Sequence, residues 1–490
     1  MKVEVEIISR EDIRPSSPTP SHLRVFNLSL LDHLIPSPYA PIILYYTSPN
    51  SDKTCFSEVP KRLELLKKSL SETLTQFYPL GGKIKELDFS IECNDEGANF
   101  VQAKVKCPLD KFLVQPQLTL LHKFLPTDLV SEGSNSGTYV TNIQVNIFEC
   151  GGIAIGLCIS HRILDGAALS TFIKGWSERA KGFNCDQLTK PNFIGSALFP
   201  TNNNPWLRDL SMRMWGSFFK QGKWVTKRFL FRNSDIAKLK AQTLGTATST
   251  RLEIVSSMLW KSLMGVSKVR FGTQRPSLVT HLVNLRRRMD EALCPQHAMG
   301  NLLWLVAAEK MCDDHDEMGL EDLVGKLRKS ISQVDEKFVE ELRGDKGRSI
   351  MKESLGAISE KGSKGEVVDY VGFSSWCNFG YYEADFGWGK PTWVSGVGSI
   401  GSVSMFMNLI ILVDTRLGDG IEAWVTLDEE DMTHLEANTE LLTCATLDPS
   451  YSSPFRICSN ADMKFGLMKV ILLTIQLFLF VLSLSVNLHI

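Results

Sequence analysis

The chain reads as an α/β protein of the mixed α+β kind, with room for two domains. Three observations predict this. Runs of period-two alternation lie beside runs with apolar residues at helical spacing, without the regular strand–helix–strand order of a doubly wound sheet. At 490 residues and 43% hydrophobic, the chain can bury more than one core. Between about 184 and 222 the pattern lapses into Pro191, Pro200 and Asn202-Asn203-Asn204-Pro205, which predicts a long linker between two halves.

The first fifty residues are rich in proline, serine and leucine and lead into a strand at Ile42-Ile43-Leu44-Tyr45-Tyr46. Leu63, Leu66, Leu70, Leu74 and Phe77 then recur at helical spacing opposite lysines and glutamates, predicting an amphipathic helix. Proline and paired glycines in Tyr78-Pro79-Leu80-Gly81-Gly82 stop it. Further on, Ile143, Val145 and Ile147 alternate with Asn142, Gln144 and Asn146. After the turn Cys150-Gly151-Gly152, Ile153, Ile155, Leu157 and Ile159 alternate in the same way, so the two runs form a β-hairpin. Leu169, Phe172, Ile173 and Trp176 mark a following helix, which Gly182 closes. In the second half the pattern predicts a helix over 252–268, a strand over 277–283 and one charged amphipathic helix across 320–342. Lys361-Gly362-Ser363-Lys364-Gly365 reads as an exposed loop, and runs at 409–413 and 421–427 flank Gly418-Asp419-Gly420 as a second hairpin.

His161 and Asp165 sit at the junction of the first hairpin and its helix, in Cys158-Ile159-Ser160-His161-Arg162-Ile163-Leu164-Asp165-Gly166. Rigid elements on both sides hold the histidine backbone, and imidazole is the side chain best matched to proton transfer near neutral pH. The spacing alone is a weak signal. With 9 histidines and aspartate at about one residue in twenty, chance supplies about half a match. Three plainer readings stand beside the catalytic one. His161 can be a satisfied strand-end histidine, Asp165 a helix N-cap, and the two a metal pair for which no third ligand is evident.

Composition removes other classes. A net charge of −2 does not suggest a nucleic-acid surface, and an anionic cofactor would need a local basic patch. The 11 cysteines hold neither a CxxC nor a Cys/His cluster with zinc spacing, so no metal site is expected and a reducing compartment fits better than a disulfide framework. The charged N-terminus Met1-Lys2-Val3-Glu4-Val5-Glu6 is no signal peptide. Gly396-Val397-Gly398-Ser399-Ile400-Gly401 matches GxGxxG, but strand-like Ser402-Val403-Ser404-Met405-Phe406 follows where a dinucleotide fold needs a helix. Asp385-Phe386-Gly387 lacks the preceding glycine loop and lysine of a kinase. Arg286-Arg287-Arg288 reads as a solvated face with one internal charge partner.

The C-terminus is apolar over 470–486 except for Thr474, Gln476, Ser483 and Ser485. As a helix it would be ~26 Å long, slightly short of a ~30 Å hydrocarbon core. Lys464 and Lys469 flank its N-terminal side, as in a tail anchor. A tail anchor, a non-native extension and a buried core helix all remain open as readings.

Taken with Asp385-Phe386-Gly387-Trp388-Gly389-Lys390-Pro391 some way downstream, His161-xxx-Asp165-Gly166 resembles the motif pair of the plant BAHD acyltransferases. Pro18-Thr19-Pro20, Tyr78-Pro79-Leu80-Gly81-Gly82, Val283-Asn284-Leu285-Arg286 and Met299-Gly300-Asn301 agree as well, and the likeness is greatest to the vinorine-synthase-like branch. The resemblance implies two chloramphenicol-acetyltransferase-like domains with a channel at their interface. The domains would be 1–190 and 221–455, joined by a crossover linker at 191–220, with 456–490 as an apolar extension untypical of the family. It implies acyl transfer, acetyl first, from acyl-CoA to a hydroxyl or amine of a plant specialised metabolite such as an alkaloid or alcohol, with no permanently bound cofactor. The alternative is a non-catalytic, membrane-tethered binding protein.

His161 would act as general base. Asp165 would turn from the channel to pair with Arg286, and Gly166 belongs to the same motif. Gly387, Trp388 and Gly389 would form a constrained turn, with Asp385 either part of that turn or a second catalytic carboxylate. Asn301 and Trp376 are oxyanion or channel candidates, and Ser256, Ser257 and Lys261 are candidate CoA contacts. The family is expected to act as a cytoplasmic monomer on small molecules, which a genuine tail anchor at 470–486 would change to membrane association.

Overall fold

The computed structural model describes residues 3–35, 39–48, 54–85, 90–126, 138–184, 186–201, 205–243, 249–294, 296–311, 319–363, 368–396 and 405–450. The apolar stretch 470–486 and positions 397–401 of the glycine-rich match lie outside them. Among the described residues no helix is long and apolar enough to cross a membrane.

In chain order, the strands of the two large sheets are β1 (Val5–Ile13), β2 (Tyr39–Tyr46), β3 (Ala98–Val105), β4 (Thr141–Phe148), β5 (Ile153–Ser160), β6 (Trp224–Arg232) and β7 (Ser277–Asn284). They continue as β8 (Leu303–Lys310), β9 (Asp369–Ser375), β10 (Trp393–Ser395), β11 (Leu409–Asp414), β12 (Gly420–Asp428) and β13 (Thr446–Leu447). The first sheet has six strands in the order β1-β3-β4-β5-β2-β10, and the second has seven in the order β8-β7-β9-β11-β12-β6-β13. Both are mixed. β3 and β4 run parallel, as do β7, β9 and β11, while the remaining neighbours are antiparallel.

The β4–β5 hairpin lies inside its sheet with every residue of β5 buried. Helices α1 (Thr54–Gln76) and α2 (Gly166–Ala180) share one core with the sheet, through Leu66, Leu70, Leu74, Phe172, Trp176, Ile143 and Ile155. The polar residues of β4 are also buried, and Asn142, Gln144 and Asn146 each find a partner. Gln144 donates to the Lys123 carbonyl at 2.9 Å and Asn146 to that of Phe124 at 2.9 Å, while Asn142 accepts from Asn99 at 3.0 Å.

Three sequence expectations change. The segment read as an irregular linker carries α3 (Pro205–Gly216), and Leu207, Leu210 and Met214 join a core that also holds Leu31, Leu34, Leu278 and Trp304. After α4 (Arg251–Phe271), the single helix expected across 320–342 is two, α5 (Leu320–Ser332) and α6 (Glu336–Arg343). Asp335 accounts for the break, since its side chain accepts from the Phe338 amide at 2.8 Å and caps a new helix start. Lys361 and Gly362, expected in a loop, close α7 (Gly347–Gly362).

The feature that positions the site is the late strand β10. It follows the Asp385-Phe386-Gly387-Trp388-Gly389 segment, yet pairs antiparallel with β2 at the edge of the first sheet, Trp393 opposite Tyr45. The Trp393 ring stacks on Tyr45 (5.0 Å between centroids) and on Trp424 of β12 (5.8 Å), so one aromatic column ties the two sheets.

Candidate active site

Strand β5 ends at Ser160, and helix α2 starts at Gly166. The five residues between them form the turn that carries His161, which is half-buried. Asp165 is the N-cap of α2, its Oδ1 accepting from the Ala168 amide at 2.9 Å. Its other oxygen, Oδ2, accepts from Arg286 Nη1 at 2.7 Å and from the Leu302 amide at 3.1 Å. The cap and the charge partner are therefore two roles of one buried carboxylate. Arg286 is held further by the carbonyls of Ala298 and Gly300, each at 2.9 Å. Arg287 beside it is exposed.

Asn301 lies against the histidine. Its Oδ1 faces His161 Nδ1 at 3.1 Å, and its Nδ2 donates to the His161 carbonyl at 2.7 Å and to Asp32 Oδ1 at 2.8 Å. The amide orientation is forced, because a flipped Asn301 would set its oxygen against two acceptors and its NH2 against a histidine nitrogen. Asn301 thus has both amide hydrogens engaged, by the His161 carbonyl and Asp32, and offers neither to an oxyanion in this structure. It is a partner of the imidazole.

Asp32 was not among the residues singled out from sequence. It is 3% exposed and accepts four hydrogen bonds: the Asn301 amide at 2.7 Å, Asn301 Nδ2 at 2.8 Å, the Ser29 amide at 2.8 Å and the Ser29 hydroxyl at 2.6 Å. Burial pushes its pKa up from the ordinary carboxyl value, against those four bonds, which favour the carboxylate. Gly300 makes the approach feasible with φ +114°, a conformation side-chain-bearing residues rarely adopt. A sequence signal was present: one aspartate inside the apolar run Leu28-Ser29-Leu30-Leu31-Asp32-His33-Leu34 implies a buried, partnered charge.

Asp385 is elsewhere. Its Oδ2 pairs with Lys181 Nζ at 3.0 Å, and its Oδ1 accepts from the Gly387 and Gly389 amides, both at 2.9 Å. Partial burial raises its pKa, but Lys181 and the two amides more than offset this and hold the carboxyl below its usual range. Lys181 is the C-cap of α2, and fifteen helical residues span ~22 Å. Asp385 therefore sits at the far end of that helix from Asp165 and His161. Gly387 and Gly389 have φ of +104° and +107°, and Phe386 is fully buried against Trp176 (4.8 Å) and Trp388 (5.7 Å).

The remaining candidates lie on α4 and just after β9. Ser256 and Ser257 are 1% and 0% exposed on the inner face of α4, and Lys261 is paired with Glu440 at 2.5 Å. Trp376 packs edge-on against Tyr381 (5.7 Å), and the Tyr381 hydroxyl donates to the Gly166 carbonyl at 2.7 Å.

Comparison with known proteins decides the family. The model of the Transferase family matches residues 3–442. The chain is a BAHD transferase. It is 44% identical over 457 residues to epi-neemfruitin B 7-O-acetyltransferase of Melia azedarach, covering 91% of this chain and all of that one. It is 42% identical over 462 residues to limonoid 7-O-acetyltransferase of Citrus sinensis, covering 91% and 99%. The crystal structure of vinorine synthase superposes with a TM-score of 0.72 at 32% identity, covering 92% of this chain and 100% of that one. Each relative reported carries an enzyme's name, which leaves the non-catalytic reading of this BAHD transferase without support.

Proposed function

We propose that this BAHD acyltransferase moves an acyl group, acetyl first, from acyl-CoA to a hydroxyl of a limonoid-like alcohol, with His161 as the general base. The Melia and Citrus relatives are both named for 7-O-acetylation, one of epi-neemfruitin B and one of a limonoid. They favour a hydroxyl over an amine, and a limonoid over an alkaloid, as the acceptor.

The observation that carries the chemistry is the contact at His161 Nδ1. Asn301 Oδ1, 3.1 Å away, can only accept. Nδ1 therefore carries the proton, and the Nε2 lone pair is free to take another. The acceptor hydroxyl gives its proton to Nε2 as its oxygen attacks the thioester carbonyl. The tetrahedral intermediate collapses with cleavage of the C–S bond, and the thiolate takes the proton back from the imidazolium. A thioester is already activated, so no acyl-enzyme is needed. Holding donor and acceptor in line lowers the barrier further. Trp376 remains a channel candidate through its contact with Tyr381 beside Gly166.

The test is a donor-by-acceptor screen with mass detection, run on the enzyme and on His161→Ala. An acetylated limonoid alcohol is the expected product, with kcat lower by about 10²–10⁴-fold in the variant. Full activity in His161→Ala would remove the base from the scheme.

A further inference from the structure

We infer that Asp32 is a positioning residue for the acyl transfer, acting on His161 through Asn301 to select the imidazole tautomer. The inference rests on the reading of His161 as the base and extends it by one step.

Neutral imidazole carries its proton on one nitrogen or the other, and only the Nδ1–H form leaves Nε2 basic toward an acceptor. An asparagine side chain can receive a proton from Nδ1 or offer one to it, depending on which end faces the ring. The choice here is made by the group on the opposite side. Asp32 Oδ1 draws one Nδ2 hydrogen at 2.8 Å, and the His161 carbonyl draws the other at 2.7 Å. With both hydrogens committed, Oδ1 faces His161 Nδ1 at 3.1 Å. Asp32 also fixes the Asn301 backbone, whose amide donates to the same oxygen at 2.7 Å.

The next residue in the chain is held in the same way. Leu302 N donates to Asp165 Oδ2 at 3.1 Å. Two buried carboxylates therefore grip successive amides and set the Gly300-Asn301-Leu302 segment against the histidine turn. Asp32 is itself held by Ser29, through the amide at 2.8 Å and the hydroxyl at 2.6 Å. Ser29 Oγ in turn accepts from the Asp32 amide at 3.2 Å. Asp32 has no role in the proton transfer. It removes the freedom of Asn301 to turn over.

The experiment compares Asp32→Asn, Asn301→Ala, the double variant and His161→Ala, with kcat and KM for acetyl-CoA measured on folded protein. The ¹⁵N signals of His161 are read from ¹⁵N-histidine-labelled enzyme by difference against His161→Ala. Asp32→Asn is expected to lower kcat by up to about a hundredfold, as an ångström of misplacement can, with KM for acetyl-CoA unchanged. The ¹⁵N spectrum should move from the Nδ1–H pattern to a mixture of tautomers. Asn301→Ala should show the same loss, and the double variant should lose no more than the worse single variant.

A wild-type kcat and an unmixed Nδ1–H spectrum in Asp32→Asn, with His161→Ala inactive, overturns the role of Asp32 and leaves the base intact. An active His161→Ala overturns both. Should Asp32→Asn fail to fold, Asn301→Ala decides, since normal kcat there breaks the relay at its middle member.

Discussion

Asp165 is 5% exposed and accepts from three donors: the first turn of α2, the guanidinium of Arg286 and the amide of Leu302. Removing it leaves a cationic side chain buried without its counter-charge, and breaking such a pair typically costs about 3–5 kcal/mol. Loss of the cap adds about 1 kcal/mol. Urea unfolding should therefore show Asp165→Ala destabilised by at least the first amount. Adding Arg286→Met should recover part of it, because no charge is then stranded. Recovery stays incomplete, since Arg286 also holds the Ala298 and Gly300 carbonyls. A double variant no more stable than Asp165→Ala would mean that the carboxylate's hydrogen bonds, and not the ion pair, carry the stability. His161 and Asp165 were readable from sequence because a short motif announces them, and Arg286 because the family resemblance singles it out of the charged triplet. Asp32 was not, because its partner Asn301 lies 269 positions away and no local pattern links the two. Only the lone charge in an apolar run hinted at it.

At the scale of elements, the Asp385 turn behaves as a clasp. The carboxylate ties two left-handed glycines and the end of α2, while Phe386 and Trp388 fill the space beside Tyr46 and Trp176. The ion pair with Lys181 is partly exposed and contributes little. The amide bonds to an ionised acceptor matter more, and Asn at this position keeps an acceptor, so Asp385→Asn should cost about 1–2 kcal/mol. Because the folded pKa lies below the ordinary 3.8, the contribution is present above the unfolded value and lost as pH falls through the folded one. The stability gap between wild type and Asp385→Asn should hold steady from about pH 8 to about pH 5 and shrink below about pH 4. At each pH the turnover per folded molecule of Asp385→Asn should match that of the wild type, given the ~22 Å helix between this turn and His161. A loss of kcat without loss of stability would restore Asp385 as a second catalytic carboxylate. The motif itself was legible, as was the hairpin that delivers His161. The split of 320–342 into α5 and α6 was not, because the apolar stripe continues through both helices while one aspartate cap interrupts the backbone.

At the scale of the whole molecule, the halves read from the sequence share structure that neither completes alone. β10 comes from the second half and closes the edge of the first sheet. Asp32 and Asp165, from the first half, satisfy the amides of Asn301 and Leu302 and the charge of Arg286 in the second. Tyr45, Trp393 and Trp424 stack across both sheets, with Arg228 over the two tryptophans at 5.3 and 5.9 Å. The divisions at 190/191 and 220/221 are therefore proposed as topological boundaries and not as folding boundaries. Residues 1–190 alone would expose the edge of β2, deprive two buried carboxylates of the donors that Arg286, Asn301 and Leu302 supply and remove Trp393 from the Tyr45 ring. Such a fragment should show no cooperative unfolding transition by circular dichroism. Co-expressing it with residues 191–490 should restore soluble protein and acyltransferase activity, because each half then supplies the other's missing partners. In the intact chain, tryptophan fluorescence and far-ultraviolet circular dichroism should trace one coincident urea transition. Two separated transitions, or a cooperatively folded 1–190 fragment, would show that the shared strand and the paired carboxylates are contacts between finished domains, with the His161 turn already formed before its partners arrive.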